Sequence, residues 1–112
     1  MKFRQDVPQE SKLSEQRRGA RMNSRAQVVL EWASAEGQQA RAEGFTRVVS
    51  PLGCLVVAAR DLPLEQALQV TNLSNNRSSP AIVVWKGRET PEGFELGLEL
   101  TSQEQDFWGL EL

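Results

Sequence analysis

Apolar and polar positions alternate most strictly over Phe94–Leu100, where Phe94, Leu96, Leu98 and Leu100 fall on one face and Glu95, Gly97 and Glu99 on the other. A period of two defines a strand with one face in the core and one in water. Gln27–Trp32 repeats the pattern, with Val28, Leu30 and Trp32 opposed to Gln27, Val29 and Glu31. Gln39–Ser50 reads as a long strand with a bend at Gly44, since glycine inside a strand marks a bulge or a barrel corner. Cys54–Ala59 is continuously apolar and predicts a strand covered on both faces. Ala67–Leu73 and, after Pro80, Ala81–Trp85 are two further β-forming runs. Turn residues separate these runs at Ala33–Gly37, Pro51-Leu52-Gly53, Ser74–Ser79 and Arg88–Gly93. About six short strands and no long helical period predict an all-β, six-stranded antiparallel barrel, whose closure removes exposed strand edges. The tail Ser102–Leu112 is expected to form a short helical turn that lays Phe107, Trp108 and Leu110 over an open end.

A chain of 112 residues holds one domain and one core. Its charge is unevenly spread. Residues 1–25 carry seven basic against three acidic side chains, and the remainder six against twelve. The chain therefore divides into a flexible basic leader, 1–25, and an acidic barrel, 26–112. An acidic body disfavours a nucleic-acid face, which needs Lys and Arg spread along it. A compact arginine cluster suits a ligand with few phosphates. The chain contains one cysteine and no histidine. That removes the commonest general base and the commonest zinc ligand, and no convergent carboxylate pair takes their place. The expectation is a protein that is not an enzyme and carries no cofactor or metal. No apolar run approaches the roughly 20 residues of a membrane span. The opening segment also lacks the apolar stretch of a secretory signal, so a cytoplasmic protein without membrane insertion is expected. Cys54 opens an apolar strand and reads as a small buried hydrophobe. Trp32, Trp85 and Trp108 read first as core or rim packing.

Two short motifs carry the chemistry. Arg17-Arg18-Gly19-Ala20-Arg21 sets two arginines four apart ahead of the first strand, and Ser50-Pro51-Leu52-Gly53 is a Ser-x-x-Gly turn between the second and third strands. Their order and spacing resemble the PilZ family of bacterial domains that bind cyclic di-GMP. In that family an RxxxR motif precedes a six-stranded split barrel and a [D/N]xSxxG motif joins its second and third strands. The resemblance runs from Arg17 to the C-terminus. It implies a cyclic di-GMP sensor or adaptor in bacterial signalling, with Arg17, Arg18, Arg21, Ser50 and Gly53 as ligand residues and a downstream protein partner. Arg21 and Arg25 form a second pair of the same spacing, with Arg25 in reserve.

Guanidinium groups suit such a ligand twice, because they pair with phosphate or guanine O6 and N7 and stack on bases. Gly53 permits close backbone approach, and Ser50 offers a hydroxyl and an adjacent amide. A leader ordered by ligand changes the surface offered to a partner. The position two before Ser50, acidic or amidic in the family, is Val48. Valine accepts nothing from guanine. The alternative reading is accordingly a degenerate domain of this type that acts through protein contacts without the nucleotide.

Overall fold

The computed structural model describes residues 21–102 and 107–109. Seven strands follow one another: β1 (Met22–Asn23), β2 (Gln27–Ala33), β3 (Gln39–Ser50), β4 (Gly53–Ala58), β5 (Ala67–Asn72), β6 (Arg77–Thr90) and β7 (Gly93–Leu100). All pairings are antiparallel, in the order β3-β2-β5-β6-β7-β4, and β4 pairs back to β3. The six strands close a barrel, and β1 is an extra strand on β3. Closure leaves none of these six without two partners along part of its length.

The core follows the predicted periods. Val28, Leu30 and Trp32 of β2 are buried with Val56 and Ala58 of β4, Leu68 and Val70 of β5, and Leu96, Leu98 and Leu100 of β7. Val29 and Val57 are buried as well, although they alternate with the core-facing positions. Phe107 and Trp108 enter the same core, their rings edge to face with centroids 4.8 Å apart. They plug one end of the barrel, as the apolar tail predicts. The predicted helical turn is not shown: residues 107–109 form a plain turn, and residues 103–106 and 110–112, Leu110 among them, lie outside the described residues. Three hydrogen bonds hold the plug. The side-chain amides of Asn72 and Asn75 both donate to the Phe107 carbonyl at 3.2 Å, and Trp108 Nε1 donates to the Ser50 carbonyl at 2.9 Å.

Two predicted turns shrink. β6 runs to Thr90, because Glu89 and Thr90 pair with Phe94 and Gly93, so the turn predicted at Arg88–Gly93 narrows to Pro91-Glu92. β6 likewise begins at Arg77, which pairs with Asn72. Pairing of polar residues across a hairpin extends strands that a hydrophobic pattern alone ends early.

The predicted bend in β3 also moves. The irregularity falls at Arg47, between the Thr46–Val56 and Val48–Leu55 pairs. Gly44 serves close approach instead, since a Cβ there would lie 2.6 Å from the Val57 carbonyl oxygen. The extra residue at Arg47 changes the facing of everything after it. Ala42, Gly44 and Thr46 are buried before it, Val49 is buried after it, and Val48 and Ser50 turn outward.

The predicted leader does not end where the barrel starts. β1 pairs with Val48 and Val49, and Ser24 N donates to the Arg47 carbonyl. Thr46 Oγ1, almost wholly buried, accepts from Ala26 N at 2.8 Å and donates to the Ser24 carbonyl at 2.6 Å. This hydroxyl staples residues 24–26 to the barrel. Thr46→Val keeps the volume but leaves both partners unmatched, and an expected loss of about 1–3 kcal/mol follows. The urea midpoint measures it, and an unchanged midpoint with a protected Ala26 amide would show the staple to be idle.

Candidate functional site

A groove of about 640 Å³ opens on the outer face of the barrel where β3, β4, β6 and β7 lie side by side. Its size is within the roughly 300–1,000 Å³ of sites for small ligands. Strand register explains its composition. One row of outward positions crosses the sheet as Val48, Leu55, Gly97 and Trp85, and the next as Ser50, Gly53 and Glu99. All seven line the groove, together with Arg21 from the segment that leads into β1. The two glycines offer only backbone there, so the floor is low between side-chain walls.

A second bulge shapes the opposite wall. Between the Val83–Leu98 and Trp85–Gly97 pairs, Val84 is an extra residue. Val83 points into the core, while Val84 and Trp85 are half exposed, at 50% and 49%. The indole lies against Gly97, where an added Cβ would come within 2.9 Å of Trp85 Cβ, and its far edge reaches Gly87. Reading Trp85 as packing is half right: one side packs on glycine, and the other faces solvent at the groove. Trp32 and Trp108 are packed, as expected.

The structure brings three of the five predicted ligand residues to this groove. Arg21 is exposed along its edge, Ser50 is half-buried, and Gly53 is buried at the floor. Arg17 and Arg18 lie outside the described residues. Arg25, the reserve candidate, is elsewhere. Its guanidinium sits 3.8 Å above the centre of the Phe45 ring, with Arg47 on the same ring at 5.9 Å. Arg47 in turn pairs with Glu92 at 3.2 Å, both partners well exposed, so the contact contributes little to stability.

The Ser-x-x-Gly turn has a structural role as well. Ser50 Oγ accepts from Leu52 N at 3.2 Å, closing the turn, and keeps its own proton for a further acceptor. Gly53 is required by pairing, because a Cβ there would collide with the Leu98 carbonyl oxygen of β7. Cys54 borders the groove, but its side chain packs toward the core. Burial pushes its thiol up to about 12, so at neutral pH it is a protonated, unreactive thiol.

Sequence reasoning passed over Glu99 and Trp85 as groove residues. Both were visible as strand positions, but their nearness to Ser50 and Gly53 depends on which strands pair. Glu99 reads by itself as a solvated face of β7. No helix among the described residues is long and apolar enough to cross a membrane. Comparison with protein-family models, with curated proteins and with solved structures finds no match to this chain.

Proposed function

We propose that the groove binds cyclic di-GMP and that the chain is a nucleotide sensor or adaptor of the PilZ type, whose N-terminal surface changes on binding. One observation supports this reading above the others. Arg21 from the first motif and Ser50 and Gly53 from the second, remote in the chain, line a single groove of suitable size. The arginine supplies a two-pronged donor for a phosphate or for guanine O6 and N7. Trp85 supplies a flat apolar face, and stacking of a base on such a face contributes about 1–3 kcal/mol. The glycine floor lets a planar ring come close to the backbone. Residues 22–26 are fastened to β3 beside the groove, so a ligand held by Arg21 acts directly on the segment that enters the barrel.

Isothermal titration of the natural chain with cyclic di-GMP tests the proposal. A saturable heat is expected, with a melting temperature that rises with ligand, since binding to the folded state alone stabilises it by mass action. No heat and no thermal shift at ligand concentrations on the order of 100 µM would overturn it.

A second reading has its own support. Leu52, Val84 and Trp85 are 61%, 50% and 49% exposed and border the same groove. An exposed apolar patch with a polar rim is also what a protein contact uses. A degenerate domain that acts through protein–protein contacts is the reading that remains if the titration is silent.

A further inference from the structure

We propose that Glu99 is the guanine-reading residue of this groove, its carboxylate accepting the N1–H and N2–H donors of a base stacked on Trp85; the inference rests on the cyclic di-GMP reading above. The starting point is the apolar side chain of Val48, which offers no acceptor at its place in the wall. Ser50 offers one hydroxyl oxygen, already engaged with Leu52 N. Among the described residues that line the groove, Glu99 alone carries a carboxylate. Register sets it beside Gly53 and two residues along β7 from Gly97, whose backbone underlies Trp85. Its side chain is exposed, and among the described residues it makes no ion pair or side-chain hydrogen bond. Both oxygens are thus available to a ligand.

The chemistry then selects the ligand edge. An ionised carboxylate is an acceptor only, with two oxygens side by side. Guanine presents two adjacent donors, N1–H and N2–H, that match them. Adenine presents an acceptor at N1, which a carboxylate repels. A negative side chain in a site for a doubly anionic ligand opposes binding unless it meets such donors. Hydrogen bonds with one ionised partner are about twice as strong as neutral ones. Arg21 at the groove's edge takes the phosphate, and Glu99 takes the base.

The test compares cyclic di-GMP with cyclic di-IMP, whose hypoxanthine lacks the N2 amino group, on the natural chain, Glu99→Ala and Glu99→Asp. The natural chain is expected to prefer cyclic di-GMP by about tenfold. Glu99→Ala is expected to lose about tenfold in cyclic di-GMP affinity and to bind the two nucleotides alike, while Glu99→Asp keeps the preference. Because Glu99 is exposed, the melting temperature of each unliganded variant should match that of the natural chain. Unchanged or tighter cyclic di-GMP binding by Glu99→Ala, with the preference intact, would overturn the role of Glu99 and leave the cyclic di-GMP reading standing. A natural chain that binds neither nucleotide would overturn both.

Discussion

Phe107→Ala is expected to lower the stability of the fold by about 3–5 kcal/mol. The ring is 2% exposed and packs edge to face on Trp108 inside one end of the barrel. Removing it vacates a space the surrounding strands cannot close, because each is held in register by two neighbours. The loss therefore includes the transfer of the ring to water and the cavity left behind. It also weakens the seat of Trp108, whose indole N–H bonds the Ser50 carbonyl at the lip of the groove. For a domain of this size the melting temperature should fall by something on the order of 10–25 °C. Thermal and urea unfolding measure both quantities. A drop of less than about 1 kcal/mol would mean that the plug is not part of the cooperative core.

Arg21→Ala is expected to weaken cyclic di-GMP binding by about ten- to a hundredfold. Arg21 is the one cationic side chain among the described residues that line the groove, and Glu99 adds a negative charge to the same walls. Without the guanidinium, a doubly anionic ligand meets no countercharge among the described residues that line the groove. The binding constant should also lose part of its salt dependence, since screening acts on exposed charge pairs. Arg25→Ala is the matched control: that guanidinium sits over Phe45, so its removal should leave affinity within about twofold. Titration of the two variants at two salt concentrations separates local recognition from bulk charge. Equal losses in both would point to nonspecific attraction by a basic segment.

Much of the barrel is legible in the residues. Phe94–Leu100 alternates without exception, and its even-numbered positions from 96 to 100 are buried as the period demands. Val28, Leu30 and Trp32 behave the same way in β2. The apolar pair Phe107–Trp108 after a polar stretch predicts a plug, and a plug is found. Strand ends are less legible, because Arg88, Glu89 and Thr90 carry no hydrophobic period and owe their strand state to partners in β7. Of the site, the arginine and the Ser-x-x-Gly turn stand out as motifs, whereas Trp85 and Glu99 are ordinary residues of ordinary strands until β6 and β7 are set beside β4.

By itself, then, the order of residues determines that this chain builds strands of period two and which side chains seek a common core. That information is local, since a strand's two faces are defined by its own alternation. Which outward side chains meet was decided only by the tertiary structure. One surplus residue at Arg47 turns Val48 and Ser50 away from the core, and another at Val84 brings Trp85 above Gly97. A bulge is a mismatch in count between two paired strands, so it belongs to neither sequence segment alone, and the groove exists because two such mismatches face each other across β4 and β7.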